Sequence, residues 1–188
     1  MGDAFSIDSE AARLSDVPGF KTGSAGCGLS SDGADIGVIM CEAEGGSGTA
    51  LFTRNKLRAP SVGVSSPRAM SGKLRGAVVT CCNANALLGT DAESDAIEMV
   101  NLAETGLGIS NAQLIVASAG APGVAVPMDA IRSGLPQACD NAKEAGDADM
   151  TAVLAQCGAN SKIASVTGTL DGKPFKIAGV ARIAQPGG

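Results

Sequence analysis

The chain has 188 residues, a formal net charge of -5 and no histidine. Its length suits one domain with a sizeable apolar core. An acidic chain without a lysine and arginine cluster excludes a nucleic-acid surface, and the lack of histidine excludes an imidazole base and the usual zinc sites. No apolar run reaches the roughly 20 residues that span a bilayer, and the opening residues match neither a signal peptide nor a typical transit peptide, so we expect no membrane partner and a cytoplasmic location.

The first part of the chain predicts a lead-in followed by strands. Residues 1–17 are polar, and a Pro-Gly turn after Val17 opens a single domain over residues 18–188. Short apolar runs bounded by turn residues predict buried strands. These strands are expected at 35–42, 59–64 and 74–81. The last is apolar at nearly every position, which is typical of a central strand.

A helix is predicted from residue 90 to residue 107. Thr90 and Glu93 have the spacing of a capping box, in which a hydroxyl caps the first turn and a carboxylate reaches back. Apolar residues then recur every three to four positions. Gly106 and Gly108 are expected to end the helix.

The remaining elements complete a mixed α/β fold, with sheets covered by helices. A buried strand is expected at 113–117, and Pro127 suits the first position of a short helix through Arg132. A second, alanine-rich helix is expected at about 136–155. Two alternating segments, 162–169 and 173–180, flank Asp171-Gly172, a strong signal for a hairpin turn.

Six cysteines stand at positions 27, 41, 81, 82, 139 and 157. They form no C-x-x-C pair, and their neighbours are mostly apolar or small. This favours buried, reduced thiols that act as small hydrophobic side chains over a metal or redox site. We expect neither a metal nor another cofactor.

The segment Ser118-Ala-Gly-Ala-Pro-Gly123 follows a predicted buried strand and contains only small residues. Unobstructed backbone N–H groups in such a loop can hold an anion or a developing oxyanion. A tight turn that merely needs glycine is the other interpretation. The residue types alone leave both open.

Several segments in order resemble the glutamate N-acetyltransferase family, the ornithine acetyltransferases. The resemblance covers Pro18 to the end of the chain and is strongest at Phe-Thr-Arg-Asn, Asn-Ala-Asn-Ala and Pro-Met-Asp. The segments are VPGFK (17–21), LFTRNKLRAPSV (51–62), GAVVTCCNANALLGTDAESDA (76–96), LIVASAGAPGVAVPMDAI (114–131) and FKIAGVARIA (175–184).

The resemblance implies a precursor that cuts itself before a threonine, leaving an α chain and a β chain together, with an (αβ)2 assembly expected. The new terminal threonine would take acetyl from N-acetylornithine and pass it to glutamate. Its own α-amine would serve as the base, so no histidine is required. The family's cleavage motif is in register with Ile183–Gly188, which makes Gly188 the expected residue before the cut.

The family's oxyanion hole uses a Thr-Gly pair, which falls on Ala119 and Gly120. The hydroxyl is therefore missing at position 119, while the backbone donor at Gly120 remains. The family's substrate-binding residues fall on Lys162, which matches, and on Arg182, where the family has lysine. The stretch 156–161 departs from the family pattern.

These departures leave three hypotheses for the function. The first is an ornithine acetyltransferase-like enzyme, in which Lys162 and Arg182 contact carboxylates of a small N-acyl amino acid. The second retains the threonine nucleophile but passes the acyl group to water, as an amidohydrolase does. The third is a non-catalytic relative, which Ala119 and the altered 156–161 stretch favour.

Overall fold

The structure is a computed structural model that describes residues 5–8, 12–43, 46–110, 112–142, 148–155 and 161–182. Strands and helices are mixed along this part of the chain. The strands are β1 (Phe5–Asp8), β2 (Phe20–Ala25), β3 (Ile36–Cys41), β4 (Gly76–Thr80), β5 (Leu114–Ser118), β6 (Ser161–Leu170) and β7 (Lys173–Arg182). The helices are α1 (Pro60–Met70), α2 (Asp91–Leu107), α3 (Met128–Asp140) and α4 (Ala148–Ala155), and Leu14–Asp16 forms a 3-10 turn.

The strands build two sheets, which confirms the mixed α/β class. One sheet has the order β1-β6-β7 and is antiparallel, so residues 5–8 of the lead-in contribute a strand. The other has the order β2-β3-β4-β5, in which β4 and β5 run parallel and the other pairs antiparallel. Strand β4 lies inside this sheet, as predicted, and β5 lies at its edge.

Helices cover one face of the four-stranded sheet. Val78 of β4 and Val116 of β5 pack there in one buried cluster with Met99 of α2 and Ile131 of α3. Burying a side chain of this size contributes about 1.5–3 kcal/mol. The chain has only four phenylalanines and neither tryptophan nor tyrosine, so small and medium aliphatic residues provide most of this core.

Small residues also let helix α3 approach strand β2 backbone to backbone. A Cβ atom at Gly23 would lie 2.2 Å from the carbonyl oxygen of Ala138. Just beyond the helix, Asn141 Nδ2 donates to the carbonyl oxygen of Ser24 at 3.0 Å. No side chain at position 23 is compatible with this spacing.

A buried ion pair ties helices α1 and α2 to the start of β5. Arg68 Nη1 donates to Glu104 Oε1 at 2.7 Å, and the two side chains are 13% and 1% exposed. The same carboxylate oxygen accepts the N–H groups of Gln113 at 2.8 Å and Leu114 at 2.9 Å. Arg68 also donates to the carbonyl oxygen of Leu114. One carboxylate thus positions three elements.

Most of the predicted elements are confirmed. The strands expected at 35–42, 74–81 and 113–117 are β3, β4 and β5, and the helix expected at 90–107 is α2. The hairpin is β6 and β7, and its turn residues Asp171 and Gly172 have φ angles of 50° and 74°. Two consecutive positive φ angles are typical of a type I′ turn.

The strand predicted at 59–64 is wrong, because helix α1 occupies this segment. Pro60 stands at the start of the helix, where its missing N–H costs nothing. The buried residues of α1 are spaced by three to four positions rather than two, namely Ser61, Val64, Ser65 and Ala69. A short apolar run does not distinguish a strand from a helix.

The division into helices at 127–132 and 136–155 is also wrong. Helix α3 runs without a break from Met128 to Asp140, with Pro136 inside it, and Pro127 precedes the helix. Helix α4 is a separate element. The predicted break relied on proline as a helix breaker, but the buried face formed by Ile131, Leu135 and Ala138 holds the helix together across it.

The predicted capping box at the start of α2 does not form. The Thr90 side chain makes no capping hydrogen bond, and its backbone is helical rather than extended. The backbone carbonyl of Thr90 instead accepts from the N–H of Glu93 at 3.2 Å. At the other end, Gly108 ends the helix with a φ of 66°, whereas Gly106 lies within it.

Among the described residues, no helix combines the length and apolar character that a membrane crossing requires.

Replacing Glu104 by glutamine should destabilise the protein by about 3 kcal/mol or more, because Arg68 would keep a buried charge without its counter-charge. Urea unfolding of the two proteins measures the difference. Glu98→Gln is the matched control, since Glu98 lies on the same helix and pairs with the half-exposed Arg132. The control should unfold at nearly the wild-type midpoint; equal shifts in both variants would contradict the role assigned to Glu104.

Candidate active site

Two loops follow the parallel strands β4 and β5. Residues 81–89 lead from β4 to α2, and residues 119–127 lead from β5 to α3. The carboxyl ends of neighbouring parallel strands meet at one edge of a sheet, where α/β proteins commonly bind ligands. The small-residue segment 118–123 lies in this position.

Four backbone hydrogen bonds join the segment after β5 to the end of β4 and the loop that follows it, so each segment restrains the other. The donor and acceptor pairs are Ala119 N–H to Thr80 O (3.2 Å), Ala121 N–H to Cys82 O (2.8 Å), Ala84 N–H to Ala121 O (3.1 Å) and Gly123 N–H to Ala86 O (2.8 Å). Asn83 Nδ2 adds a bond to the carbonyl oxygen of Ala125 at 3.0 Å. These hydrogen bonds hold the two loops together.

Gly120 lies against the backbone of the neighbouring loop. Its φ is 149°, and a Cβ atom there would lie 2.1 Å from the carbonyl carbon and oxygen of Cys82. On either side of it, the N–H groups of Ala119 and Ala121 donate to the carbonyl oxygens of Thr80 and Cys82. The N–H of Gly120 donates to no described residue, so it is available to a ligand.

Position 119 supplies no hydroxyl, and Ser118 does not replace it. Thr80 Oγ1 donates to Ser118 Oγ at 2.9 Å. Thr80 pairs with Ser118 two residues beyond the pair formed by Val78 and Val116. Residues two apart share a face of a strand, so Thr80 and Ser118 lie on the face that the helices cover. This loop therefore presents one backbone donor and a methyl group.

The loop after β4 contains three non-glycine residues in the left-handed region. The φ angles are 70° at Cys82, 50° at Asn85 and 62° at Leu87. Each such residue costs about 1–3 kcal/mol, and such strain concentrates at functional sites. Asn85 is fully buried, and its Nδ2 donates to the carbonyl oxygen of Ala92 at 2.7 Å, which ties the loop to helix α2.

Sequence reasoning missed the part that Cys82 plays. Its carbonyl oxygen accepts from Ala121, and its backbone excludes any side chain at Gly120. The only local signal is its place directly after a central strand, since the contact joins two distant segments. Among the described residues, no group of three or more cysteine, aspartate or glutamate side chains is arranged to hold a metal.

The two predicted carboxylate-binding residues come together at one end of the β6–β7 hairpin. Lys162 pairs with Ala181 in the ladder, and Arg182 pairs with Ser161. Their side chains lie outside the described part of the structure. The hairpin belongs to the three-stranded sheet, whereas the loop that contains Gly120 follows a strand of the four-stranded sheet. Gly188 and all but the last residue of the altered stretch 156–161 also fall outside the described residues.

The sequence of this chain was compared with models of known protein families and with curated proteins. The model of the ArgJ family matches residues 21–184. The arginine biosynthesis bifunctional protein ArgJ of Shouchella clausii is 33% identical over 171 residues, which are 90% of this chain and 41% of that protein. The chain thus spans about two-fifths of the length of the curated relatives it matches.

Two solved structures share the fold. The crystal structure of the arginine biosynthesis bifunctional protein ArgJ from Bacillus halodurans has a TM-score of 0.81 at 24% identity, covering 95% of this chain and 94% of that one. The ornithine acetyltransferase of Mycobacterium tuberculosis, complexed with ornithine, has a TM-score of 0.85 at 19% identity, with the same coverage. With a family model that matches most of its length, this chain belongs to the ArgJ family.

Proposed function

We propose that this chain is the oxyanion-binding part of an ornithine acetyltransferase-like enzyme, which moves acetyl from N-acetylornithine to glutamate. The observation that carries the proposal is that the N–H of Gly120 has no acceptor among the described residues, whereas the N–H groups of Ala119 and Ala121 each have one, in a chain of the ArgJ family. Acyl transfer passes through a tetrahedral oxyanion, and a preorganised backbone donor stabilises it. The contact with Cys82 holds that donor in place.

The nucleophile belongs to another part of the same precursor. A threonine at the start of a β chain would attack the acetyl carbonyl, with its own α-amine as the base. This scheme suits a chain that has no histidine. We place the two chains in an (αβ)2 assembly in the cytoplasm.

An apolar groove on the sheet face opposite α2 and α3 supports a partner chain. It has a volume of about 230 Å³, and Phe20, Ile39 and Ile115 line it. Such side chains lose hydrophobic stabilisation when they remain in water. A β chain seated here would cover them.

Lys162 and Arg182 are the proposed contacts for substrate carboxylates. The ladder places them diagonally across the hairpin end, one residue out of direct register. An acceptor such as glutamate carries two carboxylates, and lysine and arginine can each bind one. Arginine can hold one carboxylate through two parallel hydrogen bonds, which lysine cannot.

Ala119 favours a second candidate, a relative with a retained fold and little or no catalysis. Losing one oxyanion donor costs about 10²–10³-fold in rate. The full-length gene product distinguishes the candidates when it is incubated with N-acetylornithine and glutamate. Formation of N-acetylglutamate supports the transferase; ornithine and acetate released regardless of glutamate indicate an amidohydrolase; and no product leaves the non-catalytic relative.

Restoring a hydroxyl at position 119 should raise the acetyl-transfer rate. We expect Ala119→Thr to increase kcat by roughly 10²-fold, because it adds a donor beside Gly120. Ala119→Val is the matched control, since valine has the shape of threonine without the hydroxyl. Equal rates in the two variants would show that a hydroxyl at position 119 does not stabilise the oxyanion.

Replacing Gly120 by alanine should reduce kcat by at least about 10²-fold, because the new methyl group would force the loop away from Cys82. Gly123→Ala is the control: its φ of 74° is also positive, but a Cβ there meets nothing within 4 Å. Steady-state kinetics should separate the two, and circular dichroism checks that both fold. A Gly120→Ala enzyme with wild-type kcat would remove Gly120 from the mechanism.

A further inference from the structure

Two adjacent thiols lie in the segment whose backbone contacts Gly120. Cys81 and Cys82 are both reduced, with their Sγ atoms 3.3 Å apart. Cys81 is fully buried, while Cys82 is partly exposed. The pair stands at the point where β4 ends and the strained loop begins.

We propose that Cys81 and Cys82 are a modification site, which a small-molecule disulfide such as oxidised glutathione converts reversibly into a vicinal disulfide. The thiolate of Cys82 attacks one sulfur of the reagent, forming a mixed disulfide and releasing one glutathione thiolate. Cys81 then loses its proton and attacks the Cys82 sulfur, releasing the second glutathione. Two protein thiols are oxidised, and one glutathione disulfide is reduced to two thiols.

Exposure and distance set the order of these steps. A reagent as large as glutathione reaches the partly exposed Cys82 but not Cys81, whose exposure is 0%. Cys81 resolves the mixed disulfide because its sulfur is already 3.3 Å from that of Cys82. Ring closure needs an approach to about 2.05 Å.

The product would be strained, which makes it easy to reduce. Adjacent Cα atoms are about 3.8 Å apart across a trans peptide, shorter than the roughly 4.4–6.8 Å that disulfides prefer. Strained disulfides have more oxidising potentials and are the labile ones. The modification should therefore reverse with a mild thiol.

Two of the other described cysteines, Cys27 and Cys139, are poorly suited to this reaction. Burial, with Asp35 nearby, raises the pKa of Cys27 to about 12. Burial also raises the pKa of Cys139 to about 11. A thiol with a raised pKa offers little thiolate for exchange.

Ring closure should also disturb the loop above it. The peptide between the two cysteines must turn to bring the sulfurs together, and the carbonyl of Cys82 is the acceptor for Ala121 N–H. The backbone of Cys82 also lies in contact range of Gly120. Oxidation is thus expected to loosen the hydrogen bonds that hold residues 119–123.

The test is mass spectrometry of the full-length protein treated with oxidised glutathione. Trypsin releases residues 76–132 as one peptide, which contains Cys81 and Cys82 and no other cysteine. A loss of two hydrogens in this peptide, restored by dithiothreitol, is the expected result. An unchanged peptide would overturn the proposal.

Single variants test the order of attack. Cys81→Ser should stop at a glutathione adduct on Cys82, and Cys82→Ser should leave Cys81 unmodified. An adduct on Cys81 in the second variant would refute the assigned order. These readouts do not depend on acetyl transfer, so their outcome is separate from that of the proposed enzyme activity.

Hydrogen exchange tests the coupling to the loop. The amides of residues 119–123 should exchange several-fold faster in the oxidised protein than in the reduced one. The Arg68 and Glu104 region, away from the loop, is the internal reference. Identical exchange in both forms would overturn the link between the thiols and Gly120.

Discussion

The carboxylate of Glu104 holds the part of the fold that carries the candidate site. It neutralises Arg68 and accepts two backbone N–H groups at the start of β5, all in a nearly dry environment. Strand β5 is an edge strand, so one of its sides has no neighbouring strand in the described sheet to fix it. The ion pair fixes the start of this strand, and the hydrogen bonds between the two loops fix its end.

Close contacts between backbones in this protein require residues without a side chain. Helix α3 meets β2 at Gly23, and the loop after β5 meets the loop after β4 at Gly120. In both places the contact is between main chains. The donor of the candidate site is also a backbone N–H, so its position depends on the fold more than on any one side chain. The backbone donor at Gly120 therefore does not depend on a hydroxyl at position 119.

The features that the sequence predicts well are those with strong local signals. The continuous apolar run of β4 and the Asp171-Gly172 turn need no distant partner to be recognised. The prediction at 59–64 was wrong because a short apolar run fits two periodicities, and the break before Pro136 was wrong because tertiary packing overrides a local helix breaker. Gly120 was identified from its small neighbours and from family resemblance, but its contact with Cys82 joins segments that no local pattern links.

The contact between Gly120 and Cys82 also limits how the protein can evolve. The atoms that exclude a side chain at position 120 are the carbonyl carbon and oxygen of residue 82. Every amino acid has these atoms, so no substitution at position 82 makes room for a side chain opposite. Drift can alter the side chains around this site, but glycine at 120 can be lost only when the path of a whole loop changes.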